Sequence, residues 1–214
     1  MSTITRADIV GKIRTAIDDI LPTGVTDSFS DDTRDELWQA TIHAVGQLSL
    51  ELPIHLLDVS IHSGAGTVDT SRGFAYLALP EKFLRFVSLD VTGWEGILTE
   101  LIEPGSDAER MQRSPWSRGT ATKPKAMIDH DEQGKRVIVW WPGDSGHGTG
   151  QLWYIAAPKI VTTATETVTE VPAVVSAIRD EAEQYVIYRA ASIFFEGKKE
   201  GDVAEKFRSL SNNL

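Results

Sequence analysis

The feature that most constrains this chain is a change of apolar period that occurs twice along its 214 residues. In residues 5–21, Ile9, Ile13, Ile17 and Ile20 recur at spacings of three and four, which puts them on one helical face, with Thr5 as cap and "LPTG" as stop. A second helix is expected from "SFSDDTRDELW". Ser30 and Asp31 cap it, Asp35 and Glu36 sit in its first turn, and it runs through Leu37, Thr41, Ala44, Val45 and Leu48 to stop before Pro53. From about residue 55 the period becomes strand-like. "HLLDVSIH", "GFAYLAL", "FLRFVSLDVT" and "GILTELIE" are short β-branched and aromatic runs separated by turn residues.

The polar stretch "GSDAERMQRSPWSRGTATKPK" predicts a short helix from Ser106 followed by an extended excursion. "PKAMIDHDEQGKRVIVWWPG" predicts a hairpin turning at "DEQGK", "QLWYIAAPKI" one more strand, and "VTTATETVTEV" a polar strand or connector. After Pro172, the positions Val174, Ile178, Ala182, Tyr185, Tyr188, Ala191 and Phe195 form an apolar stripe on a helix of about six turns. Gly197 and Gly201 interrupt it, and a shorter segment ends near Leu210. The expected class is α+β: N-terminal helices in 1–54 pack with C-terminal helices in 172–214, and a β-rich region, 55–171, is inserted between them as part of one composite unit.

Composition removes several chemistries. With no cysteine, the chain has no disulfide, thiolate nucleophile or zinc–thiolate site. A net charge of -10 repels phosphate and argues against tight nucleic-acid binding. Neither a signal peptide nor a membrane-spanning run is expected, so the chain is read as made in the cytoplasm.

"WWPGDSGHGTG", residues 140–150, contains the GDSG that surrounds the nucleophile of trypsin-like proteases. A serine nucleophile needs a histidine base, an acid orienting it and oxyanion donors. His147 is too close along the chain to Ser145 for a comfortable base, and His43, His55, His62 and His130 lie in no base motif. Four glycines with Asp144, Ser145 and His147 between two apolar strands suit a hairpin loop instead. "DHDE", 129–132, reads as a solvated turn because consecutive residues diverge, and His55 and His62 would face opposite sides of a strand. "HSGAG" lacks the lysine of a phosphate loop and opens no helix. No metal, cofactor or catalytic residue is therefore expected. Of the six tryptophans, Trp38 and Trp153 read as core. Trp94 and Trp116 lie in turn and loop, and Trp140 and Trp141 should face opposite sides of one strand unless both sides are covered.

Residues 78–128, "ALPEKFLRFVSLDVTGWEGILTELIEPGSDAERMQRSPWSRGTATKPKAMI", resemble the head-to-tail adaptor proteins of short-tailed phages, most of all the ring proteins of crAss-like phages. The likeness rests on an LP with a charged pair, an aromatic–aliphatic strand ending at a tryptophan turn, "TELI", "MQRS-W" and a "KP" return. It continues as "YIAAPKI", "YRAASIFF" and a Lys-rich end, over most of residues 30–210. The pattern carries over to Trp94, Met111, Gln112, Arg113, Trp116, Lys123 and Pro124.

This resemblance implies a virion structural protein rather than an enzyme: a ring of about a dozen copies beneath the portal, extending the DNA channel and receiving the tail or a second neck ring. DNA would pass an acidic wall without sequence-specific binding. Interface candidates are Trp94, Trp116 and the basic residues Arg110, Arg113, Arg118, Lys123 and Lys125, as a patch for acidic neighbours. Phe207 and Leu210 join them, on a C-terminal segment expected to order when docked on the portal. Two readings of other classes stay open: a serine hydrolase using Ser145, and a carbohydrate-binding module with Trp94, Trp116 or Trp141 as platforms.

Overall fold

A computed structural model describes residues 2–21, 30–165 and 168–214 of the chain. These divide into two compact units, one of residues 1–58 with 156–214 and one of residues 59–155. The strands of 159–176, assigned from sequence largely to the inserted region, thus belong with the terminal helices.

In the first unit, α1 (Arg6–Ile20) starts at Thr5, whose hydroxyl accepts from the Asp8 N–H at 3.4 Å. α2 (Asp31–Glu51) starts at Ser30, which accepts from the Thr33 N–H. Each cap satisfies one of the N–H groups that a helix start leaves without a partner. The expected stop "LPTG" beyond Leu21 and the Asp31 side chain lie outside the described residues. Ile9, Ile13 and Ile17 are fully buried, as the spacing requires. Thr41 and Ser49 are buried in α2 with their hydroxyls donating one turn back, to Leu37 and Val45 carbonyls at 2.8 and 2.7 Å.

The C-terminal half of this unit departs from the expected long helix. Residues after Pro172 continue a strand, and the helix α4 (Glu183–Gly197) starts eleven residues beyond that proline. β10 (Val168–Ser176) lies between β1 (Ser2–Thr5) and β9 (Lys159–Thr165), antiparallel to both. β-Branched "VTEVPAVV" prefers the extended form, and cross-strand pairing at Val174 and Val175 outweighs the helical spacing. "QLWYIAAPKI" is correspondingly two strands, broken at Ala157 and Pro158. α5 (Gly201–Asn212) follows a turn in which Lys199, rather than either glycine, takes the left-handed conformation at φ 64°. α4 contacts α1, α2 and α5. Lys12 of α1 binds both carboxylate oxygens of Glu183 at 2.6–2.7 Å, and Arg189 of α4 binds Glu51 of α2 at 2.9 Å.

The second unit contains two sheets. One has the order β2 (Ser60–Ala65), β8 (Thr149–Ala156), β5 (Phe83–Val91). The other has the order β3 (Thr67–Asp69), β4 (Phe74–Ala78), β7 (Arg136–Trp141), β6 (Lys125–His130). "GILTELIE" forms no strand: Leu98 makes a single bridge to Leu89, and Ile97 is exposed. The β6–β7 hairpin turns as expected, with Asp131 accepting from the N–H groups of Gln133 and Lys135 at 2.9 Å.

Both adjacent tryptophans are buried, because both faces of β7 are covered. Trp140 joins Ala75, Leu89, Ala126, Ile138 and Leu152 in the core between the sheets. Its register neighbours across β4 and β6 are Ala75 and Ala126, and a Cβ on Gly66 would come within 2.5 Å of its ring. Small residues on three sides thus make the space that the indole fills. Trp141 packs on the opposite face with Met127, Val137 and Val139.

Residues 142–148 join β7 to β8, which lie in different sheets, so the glycine-rich stretch crosses between sheets and is not the hairpin expected. Gly143 lies directly on β4: a Cβ there would be 1.9 Å from the Ala75 nitrogen and 2.0 Å from the Phe74 carbonyl carbon. Backbone cannot move aside as a side chain can, so Gly143→Ala is expected to cost about 2–3 kcal/mol. A thermal melt unchanged from wild type would contradict this close approach.

Candidate interaction surface

The segment after the Trp94 turn carries most of the expected interface residues. α3 (Asp107–Gln112) starts at Ser106, which accepts from the Glu109 N–H, and the chain then turns through Ser114–Ser117. Three bonds hold this excursion. The buried Gln112 accepts from the Gly119 N–H at 2.8 Å. Arg118 donates to the Arg72 carbonyl at 2.9 Å. The Ser117 hydroxyl donates to the Met111 carbonyl at 2.7 Å.

From this anchored loop Trp116 projects with 97% of its surface exposed, and Met111 is 55% exposed. Arg110 and Arg113 are exposed but paired within the helix, to Asp107 at 2.6 Å and Glu109 at 3.5 Å. Lys123 and Lys125 are exposed, and Arg118 is half-buried. The Trp94 turn adjoins this region through Glu95, whose N–H donates to the Ala121 carbonyl. The Trp94 ring itself packs against the inter-sheet core, half-buried.

Beside the loop, a groove of about 1040 Å³ opens over the outer face of the β3-β4-β7-β6 sheet. Phe74, Tyr76 and Trp141 line it, with the Phe74 and Trp141 rings edge to face at 6.2 Å. Arg113, Pro115 and Arg118 line it from the loop, and Asp129, Asp131 and Glu132 from the β6–β7 hairpin. Sequence reading did not assemble this groove. Its one signal is "VIVWW", a run with no polar alternation, which requires partners on both faces of the strand.

Two candidates in the first unit differ. Phe207 is fully buried, stacked on Phe195 at 5.6 Å, so as folded it offers no surface to a partner. Leu210 is half-buried on the same helix. The C-terminal segment, expected to order only on docking, is already packed as α5 on α4.

The GDSG stretch is a turn in which Asp144 is the organiser. Its Oδ1 meets His147 Nδ1 at 2.7 Å and accepts from the Gly146 and His147 N–H groups at 2.8 and 3.1 Å. The His147 ring is thereby engaged by Asp144, Ser145 is exposed, and the His147 carbonyl accepts from the Trp140 indole at 2.8 Å. Among the described residues, no three histidine or acidic side chains are grouped to hold a metal.

The hydrogen bond from His147, with the backbone donors, holds the Asp144 carboxyl below its ordinary value of 3.8. A depressed folded value gives a contribution that is complete above the unfolded one and lost as pH falls through the folded one. The Gly146 and His147 amide resonances should therefore shift with an apparent pKa below 3.8, and Asp144→Asn should abolish that step.

Among the described residues no helix is long and apolar enough to cross a membrane. No curated protein matches the chain. The sequence profile of the SU10 adaptor protein family matches residues 4–212, nearly the whole length. The chain thus belongs to the SU10 adaptor protein family, a phage structural family.

Proposed function

We propose that this adaptor assembles as a ring of about a dozen copies between the portal and the tail, or a second neck ring, and that its copies surround the path of the genome. The observation that carries this reading is the family match across residues 4–212. The net charge of -10 supports a passage that repels phosphate, so that DNA slides without being held. The basic, exposed part of the 110–125 segment and the projecting Trp116 support protein partners for the second unit, and the Leu210 side of α5 supports a portal contact for the first. Residues 78–128 support the narrower likeness to ring proteins of crAss-like phages.

Electron microscopy of the tagged chain captured from phage-infected cells tests the reading. A ring attached to a larger portal assembly is the expected image. Single particles with no portal bound would overturn it.

A further inference from the structure

We propose that Trp116 of one copy seats in the groove of a second copy, over Phe74, Tyr76 and Trp141, a contact that rests on the ring reading and supplies its lateral interface. Three observations carry it. Trp116 is 97% exposed although its loop is fixed at Gln112, Ser117 and Arg118. An indole held out on an anchored loop loses little freedom on binding, which is what a preformed anchor residue requires.

The groove lies on the same unit, and its aromatic floor with a volume of about 1040 Å³ admits an indole together with its flanking residues. Pro115 and Arg118 form the near wall of their own groove, while Trp116 between them points to solvent, so the occupant comes from another copy.

Charge selects the same pairing. Residues 107–128 carry five basic side chains against two acids, Asp107 and Glu109, which pair with Arg110 and Arg113 and leave Arg118, Lys123 and Lys125 in excess. The far lip of the groove carries Asp129, Asp131 and Glu132. A basic knob entering from outside meets an acidic lip. Knob and groove adjoin at one loop but present different side chains, Trp116 on one and Phe74, Tyr76 and Trp141 on the other, so each copy gives one and receives one. The contact is heterologous and propagates head to tail.

Because the chain has no cysteine, introduced thiols report the contact directly. Full-length Met111→Cys chain, which keeps the three anchoring bonds of the loop, is mixed with full-length Gln133→Cys chain under mild oxidation at up to about 100 μM. A covalent dimer is expected only on mixing. Adding Trp116→Ala to the Met111→Cys chain should lower its yield about tenfold, with the melting temperature of Trp116→Ala unchanged. Wild-type chain without thiols, at the same concentration, should form species larger than dimers by sedimentation velocity.

A yield that Trp116→Ala leaves intact, the absence of any mixed dimer, or assembly that stops at reciprocal dimers overturns the knob-and-groove contact. Rings of the Trp116→Ala chain on portals, seen by microscopy, would overturn it while leaving the adaptor reading in place. Wild-type chain that forms no ring on portals would sink the adaptor reading itself.

Discussion

Trp140→Ala is expected to lower the stability of the second unit by about 3–5 kcal/mol, a loss that approaches the whole stability of a marginal domain. The indole is fully buried in the core that joins the two sheets. The space around it is shaped by Gly66, Ala75 and Ala126, which have no side chain or a single methyl and so no torsion that could swing atoms into a vacancy. The cavity would therefore stay open. The indole N–H is also the donor for the His147 carbonyl, so truncation releases the 143–148 crossing as well. Trp140→Phe separates the two effects. It keeps most of the ring and should cost about 1–3 kcal/mol, mainly for the carbonyl left without its donor. Because the chain has two units, hydrogen exchange is the right measurement: amides of 59–155 should lose protection while those of α1 and α2 keep theirs. Uniform loss over both units would contradict the assignment.

Phe207→Ala is the corresponding experiment in the first unit, with an expected cost of about 3–5 kcal/mol. Phe207 is fully buried, stacks on Phe195 and lies 6.4 Å from Tyr188, centroid to centroid. α5 has no side-chain cap at its start, and at 12 residues it is too short to persist without packing. The variant should keep α4 and lose α5, read as rapid exchange of residues 201–212 and proteolysis beyond Lys198. Unchanged protection of α5 would show that some other contact holds it.

The legible parts of the fold were those in which one physical signal acts alone. Isoleucines at helical spacing with Thr5 ahead of them specify α1, and the capping serines Ser30 and Ser106 mark the starts of α2 and α3. Where two signals compete, the reading went astray. Residues 172–182 carry both a helical stripe and a β-branched run; pairing with β1 and β9, distant in sequence, settles 172–176 as strand, and 180–182 form a 3-10 turn ahead of α4. "GILTELIE" has strand composition but makes only one bridge to the sheet. Phe207 was legible as apolar, yet which surface covers it depends on how α5 folds back on α4, and no local pattern encodes that. The groove was illegible for a related reason. Phe74, Tyr76 and Trp141 come together only through sheet register, and the loop after α3 is tied beside them by the long-range bond of Arg118 to the Arg72 carbonyl.

The division of the chain also sets an order of events on the ribosome. Residues 59–155 are contiguous, so that unit can close as soon as its last strand has left the exit tunnel. The first unit cannot. β1 at residues 2–5 pairs only with β10, whose register partners are 173–176, and α1 packs on α4, which begins at Glu183. The N-terminal helices, with their apolar isoleucine face, can pack on each other but must wait for β10 and α4 to be made, by which time the sheet unit can already have formed. The isoleucine face of α1 thus lacks its α4 partner long after the strands of the sheet unit have found theirs, which exposes that face to aggregation during synthesis.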